Sequence, residues 1–215
     1  MDPTLYVILD RAIVRNRSLD DLLAAVIDGG CRMVQLREKE WPSGRVLPLA
    51  ERLRARCRAA GTTFIVNDRV DLALAVDADG VHLGQDDLPA RLARPLLRPG
   101  MILGVSTHSL AQARAAQAEG ADYVAAGSMF ATHSKVGFEL VGPDLLRKLR
   151  GEIRVPLIGI GGITHDNVAE VIRAGADGVA VISAVGAADD PRAASARFLA
   201  LIQVARGLTA PRPSL

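Results

Sequence analysis

The chain has 215 residues, 49% apolar and 23% charged, which is enough for one sizeable core and short for two full domains. A net charge of +2 is too small to call for a nucleic-acid or membrane partner, and aromatics at 3% are too few for a base-stacking platform. Cys31 and Cys57 form no C-x-x-C pair, no apolar run approaches the roughly eighteen residues of a membrane span, and no signal-peptide pattern opens the chain, so a cytoplasmic protein without disulfides or zinc is expected.

An apolar run over 5–9 reads as the first strand, with Asp10 and Arg11 at its end. Ser18 can cap a helix over 19–28, and Asp20 and Asp21 suit its positive N-terminal end. The second strand begins at Met33 and runs into a charged cluster, Gln35-Leu36-Arg37-Glu38-Lys39, before Trp41-Pro42 stops it. A longer helix over 43–57 follows, ended by Gly61. Strands over 63–66 and 80–83 flank a short helical segment over 70–76, and Pro89 suits the first turn of the next helix. A strand over 102–105 precedes a helix capped by Ser109, and a strand over 122–125 leads into a loop over 127–142, long enough to act as a lid or binding loop. Helices over 143–150, after Asp166 as far as Ala174, and over 191–206 alternate with strands over 156–160 and 178–182.

Eight strands alternating with helices predict a single (β/α)8 TIM barrel over 1–208, with a loose tail over 209–215. The competing doubly wound open sheet has fewer strands and needs a switch-point cleft.

In such a barrel the C-terminal strand ends share one face, so residues distant in sequence meet there. Here those ends are polar: Gln35, Arg37 and Lys39; Asn67 and Asp68; Gln85, Asp86 and Asp87; Ser106, Thr107 and His108; Thr132, Ser134 and Lys135; Gly161 and Gly162; and Ser183. Gly161-Gly162 and Ser183 follow the last two strands, where barrels commonly bind phosphate, although a tight turn would ask for the same glycines. Asp68 and Asp87 offer hard oxygens to a magnesium ion, with Asp86 as a competitor; the plainer reading makes them helix caps. With Arg37, Lys39 and Lys135, they suit a highly charged leaving group such as diphosphate. Among the histidines, His82 fits a satisfied place inside the barrel, His108 and His133 fit loops or caps, and His165 a solvent-facing helix start. Neither H-E-x-x-H nor G-x-S-x-G is present.

The ordered set of Gln35 to Lys39, Asn67-Asp68, His82-Leu83-Gly84-Gln85-Asp86-Asp87, Gly104 to His108, Phe130-x-Thr132-x-Ser134-Lys135, Gly159 to Ile163 and Val181 to Ala184 resembles the thiamine phosphate synthase family. The resemblance implies that a pyrimidine carried as its diphosphate is joined to a thiazole carried as its monophosphate. Diphosphate leaves first, and the thiazole nitrogen captures the pyrimidine cation. It further implies that Gln35, Leu36, Arg37, Glu38, Lys39, Asn67, Ser106 and Lys135 hold the pyrimidine diphosphate, with catalytic roles for Arg37, Lys39, Ser106 and Lys135. Asp68 and Asp87 would hold Mg2+, and Thr132, His133, Ser134, Gly162, Ile182 and Ser183 the thiazole phosphate. A homodimer is implied as well. The chain departs from the family pattern at Ser134, where threonine is frequent, at Ser128, where proline is usual, and at Phe138-Glu139-Leu140.

Three rivals share parts of this pattern. Thiazole tautomerases resemble the family but tend to lose the lysine of the Arg-Glu-Lys run and the aspartate after asparagine, and carry a histidine at the place of Ser128; this chain keeps Lys39 and Asp68. A sugar-phosphate isomerase would use Gly161-Gly162 but has no need of the diphosphate cluster, and a ligand-binding regulator would be expected to lose Lys135 or a metal carboxylate.

Overall fold

The structure, a computed structural model, describes residues 1–14, 17–131 and 140–207. Eight parallel strands close into a barrel in sequence order: β1 Leu5–Asp10, β2 Met33–Arg37, β3 Thr63–Asn67, β4 Gly80–Leu83, β5 Ile102–Thr107, β6 Tyr123–Ala126, β7 Leu157–Ile160 and β8 Gly178–Val181, with β8 pairing back to β1. Around them lie α1 Leu19–Asp28, α2 Ser43–Ala60, α3 Val70–Ala75, α4 Ala90–Ala93 with a 3-10 turn Arg94–Leu96, α5 Leu110–Ala118, α6 Pro143–Arg150, α7 Val168–Arg173, α8 Ser183–Gly186 and α9 Pro191–Ala205. This is the (β/α)8 barrel expected from the alternation. The expected tail, 209–215, lies outside the described residues.

The apolar strands bury both faces. Leu5, Val7, Leu9, Val34, Leu36, Phe64 and Val66 pack outward against the helices. Tyr6, Ile8, Met33, Ile65, Tyr123, Ala125, Ile158, Ala180 and Ile182 fill the interior. Period-two alternation therefore decides which polar residues reach the mouth: on β2, Met33, Gln35 and Arg37 share the inner side. Gly104 makes room for this filling, since a Cβ there would sit 2.0 Å from the Tyr123 ring.

Local signals mostly act as anticipated. Ser18 accepts from the Asp21 N–H and Ser109 from the Gln112 N–H, capping α1 and α5. Both cysteines are buried, and burial pushes Cys31 up to about 11 and Cys57 up to about 12, so they remain inert thiols. Two expectations fail. Pro89 precedes α4 instead of entering its first turn, because its ψ of 141° is extended. His165 is half-buried instead of solvent-facing: its ring packs 4.2 Å from Phe198, and Nε2 lies 3.0 Å from the Ala194 carbonyl.

The bottom of the barrel carries a repeat that patterning alone did not reveal. Gly30, Asp77, Gly120 and Gly175 all have positive φ, and each is followed by a buried small residue, Cys31, Ala78, Ala121 or Ala176. In three of the four cases an aspartate comes next. Asp79 accepts from the Phe64 N–H (2.8 Å), Asp122 from Leu103 (2.7 Å) and Asp177 from Leu157 (2.8 Å), so each ties an even strand to the odd strand before it. Arg54, Arg94 and Arg150 pair with these carboxylates. At the fourth position stands Arg32.

Candidate active site

At the opposite, C-terminal face, Asp10 ends β1 in register with Arg37. Asp10 is 5% exposed; its Oδ2 pairs with the Arg37 guanidinium and its Oδ1 accepts from the Ala12 N–H (3.0 Å). A buried carboxylate of this kind needs a fixed cation, and it orients Arg37 in return. Sequence reasoning placed Asp10 at the end of the first strand but passed over it as a site residue, because its register with Arg37 appears only on folding.

Glu38 faces neither Arg37 nor the mouth. Its carboxylate accepts from Arg11 Nε (2.8 Å) and from the N–H groups of Glu40 (2.8 Å) and Trp41 (3.2 Å). Burial would raise its pKa, but those donors outweigh it and hold the carboxyl below its ordinary value. Arg11 and Arg45 also lie over the Trp41 ring, at 4.7 and 3.7 Å. Glu38 thus builds the loop after β2. The Leu36 side chain points into the outer core, which leaves only its backbone at the mouth.

Lys39 reaches across to Asp68, which stands at the end of β3 with a φ of +62°. The Asp68 carboxyl also lies within hydrogen-bonding reach of Asp87, from the loop after β4. Burial first, and then the facing Asp87, push the Asp68 pKa above its ordinary value against the pull of Lys39. Neither aspartate caps a helix: α3 and α4 have no side-chain caps, and Asp87 Oδ2 accepts instead from the Gly84 N–H (2.7 Å). Asp86 is exposed, so Asp87 is the carboxylate turned toward Asp68. Two facing carboxylates are poorly stable without a cation between them, and their hard oxygens fit a divalent ion that takes one or two carboxylates. Among the described residues no group of three or more His, Cys, Asp or Glu gathers at one point, so an ion here would draw its other ligands from phosphate and water.

Ser106 lies near the end of β5, 8% exposed, with Oγ 2.8 Å from His82 Nε2. Gln85 Nε2 donates to the Ser106 carbonyl (2.6 Å), holding the loop after β4 against β5. Gln35 is buried, and its Nε2 donates to the Tyr6 hydroxyl (2.6 Å). Asn67 is part-buried beside His82 in the β3–β4 register.

Across the mouth, Gly161 and Gly162 have φ of +96° and +66°. A Cβ on Gly161 would meet Ser128 at 2.8 Å, and one on Gly162 the Ala131 carbonyl at 2.5 Å. Both glycines are thus required by the turn and by the close approach of the loop after β6, whatever they bind. Ile182 faces the interior, and Ser183 opens α8, a one-turn helix absent from the sequence reading because four residues show no periodicity. Thr132, His133, Ser134 and Lys135 lie outside the described residues, as do residues 132–139 of the long loop.

With this geometry in place, residues 5–185 match the family model of thiamine monophosphate synthase. The chain belongs to the thiamine monophosphate synthase family. A thiamine-phosphate synthase of Moorella thermoacetica is 48% identical over 204 residues, spanning 94% of this chain and 97% of its own. One from Chloroflexus aurantiacus is 48% identical over 205 residues, 95% of this chain and 94% of its own. The solved thiamine phosphate pyrophosphorylase of Pyrococcus furiosus superposes with a TM-score of 0.87 at 38% identity, covering 95% of this chain and 97% of that one. A family resting on ordered motifs at seven strand ends was legible before folding; the facing of those ends was not.

Proposed function

We propose that the chain condenses 4-amino-2-methyl-5-hydroxymethylpyrimidine diphosphate with 4-methyl-5-(2-phosphoethyl)thiazole, giving thiamine phosphate and diphosphate. The observation that carries this reading is the pairing of Asp68 with Asp87, with Lys39 on Asp68 and Arg37 on Asp10: two cations and a carboxylate pair suited to a metal at one mouth, with a glycine turn across the barrel. A sugar-phosphate isomerase would need the turn but not the cluster.

Arg37, held by Asp10, and Lys39 would stabilise the charge that grows on the departing diphosphate. Lys135 and Asn67 are assigned to the same end by the resemblance. Magnesium, held by Asp68 and Asp87, would supply Lewis-acid neutralisation of the leaving group. Gln35 and Ser106, both tied into the barrel interior, would hold the pyrimidine diphosphate. Gly162, with Ile182, Ser183, Thr132, His133 and Ser134, would anchor the thiazole through its phosphate, so that the ring nitrogen waits in line with the carbon losing diphosphate. Leu36 and Glu38 contribute through backbone and loop structure. No strong base is required, since carbon–oxygen cleavage precedes carbon–nitrogen bond formation.

Incubation of purified protein with both substrates and magnesium tests the reading. Thiamine phosphate and diphosphate should form in equal amounts, depend on magnesium, and vanish in Asp68→Ala and Lys135→Ala. Folded protein that binds both compounds without product would leave the tautomerase or regulator in its place.

A further inference from the structure

The barrel interior contains a continuous chain of polar groups of which the reaction outlined above uses only the two ends, Gln35 and Ser106. Gln35 Nε2 lies 2.6 Å from the Tyr6 hydroxyl, which lies 3.0 Å from the Tyr123 hydroxyl. The Tyr123 hydroxyl lies 2.9 Å from His82 Nδ1, and His82 Nε2 lies 2.8 Å from Ser106 Oγ. Tyr6 and Tyr123 meet edge to face, His82 stacks on Tyr123 with centroids 5.5 Å apart, and Tyr6, Tyr123, Gln35 and His82 are all 5% exposed or less. A buried polar network is costly unless every hydrogen has a partner.

That condition fixes its direction. An amide nitrogen has only hydrogens to offer, so Tyr6 accepts from Gln35 and must give its single hydrogen to Tyr123. Tyr123 then gives its own to His82 Nδ1, which has to be the bare nitrogen. The imidazole proton therefore sits on Nε2 and is donated to Ser106. Burial pushes both phenols well above their ordinary pKa, so neither loses the hydrogen this ordering needs.

We propose that Tyr6, Tyr123 and His82 are positioning residues: a polarised relay that makes Ser106 Oγ an acceptor from below and so turns the Ser106 hydrogen toward the mouth. The consequence is chemical. Phosphate oxygens accept and cannot donate, so a hydroxyl facing them helps only if its own hydrogen points at them. At the other end, the Gln35 amide that gives its N–H to Tyr6 keeps its carbonyl oxygen as an acceptor for an amino group. The relay would thus impose a donor at Ser106 and an acceptor at Gln35, the polarity that a pyrimidine amine and a diphosphate need. This inference rests on the proposed function for its substrate but not for its geometry.

The test combines histidine 15N NMR on the full chain with steady-state kinetics, His82 being assigned from the signal missing in His82→Gln. Wild-type His82 should show a protonated Nε2 and an unprotonated Nδ1. Tyr123→Phe, which keeps the ring and removes one hydroxyl, should shift the Nδ1 signal. It should also lower kcat roughly tenfold, the effect of one hydrogen bond realised in the transition state, with KM for the thiazole phosphate unchanged. His82→Gln, which can still offer an N–H toward Ser106, should retain more activity than His82→Leu. A proton on Nδ1, or a folded Tyr123→Phe with unaltered kcat, overturns the relay. If the wild type makes no product, the proposed function fails, and the tautomer measurement alone upholds or overturns the relay.

Discussion

Arg37 is only as useful as its partner. Asp10 holds it from the neighbouring strand, so Asp10→Asn should weaken diphosphate binding and lower kcat/KM by roughly ten- to a hundredfold, the scale of one charge-assisted hydrogen bond. Calorimetric titration with inorganic diphosphate checks it, and unchanged affinity would assign Asp10 to loop structure alone. At Asp68 the direction of its pKa sets a pH dependence. Because its carboxyl is raised by burial and by Asp87, the metal-free native state holds a proton there that the unfolded chain has lost, so this group favours folding less as pH rises through the raised value. A divalent ion needs the same proton gone. Magnesium binding should therefore strengthen as pH rises through a midpoint above 3.8, the ordinary value, and Asp87→Asn should move that midpoint downward. A midpoint at the ordinary value in the wild type would mean that the two carboxylates do not share an ion.

At the scale of elements, the two ends of each strand divide stability from activity. Asp79, Asp122 and Asp177 each receive a backbone N–H from the preceding strand at the bottom face. Changing any one to Ala should cost about 1–3 kcal/mol and lower Tm by roughly 2–4 °C per kcal/mol, while kcat stays near wild type. A fall in kcat without loss of Tm would contradict this division. The Gly161-Gly162 turn belongs to the other end. Gly162→Ala places a Cβ 2.5 Å from the Ala131 carbonyl at a φ of +66°, so the loop after β6 must shift. KM for the thiazole phosphate should rise at least about tenfold, more than KM for the pyrimidine diphosphate. Equal effects on both would show that the turn serves the whole mouth.

For the whole molecule, the metal and the diphosphate should stabilise as a pair. Asp68 and Asp87 supply only part of an ion's coordination, so magnesium alone should shift Tm little, inorganic diphosphate alone modestly, and both together by more than the sum. Differential scanning calorimetry decides between that outcome and simple additivity, which would separate the two sites. Among the described residues no helix is long and apolar enough to cross a membrane.

The sequence by itself determined the barrel, because the apolar strand run repeats eight times and the Ser18 and Ser109 caps and the glycine stops that separate the runs are local signals. It also determined which strand ends are polar, and the ordered motifs at those ends carried the family. Only the tertiary structure decided what those ends face. Closure sets Asp10 beside Arg37, turns Glu38 away to Arg11, draws Asp68 and Asp87 together in place of two helix caps, and joins Tyr6 to Tyr123 across 117 positions of chain. Those pairings depend on strand register and barrel curvature. Both are fixed by packing between segments far apart in the chain, and no short-range pattern contains them.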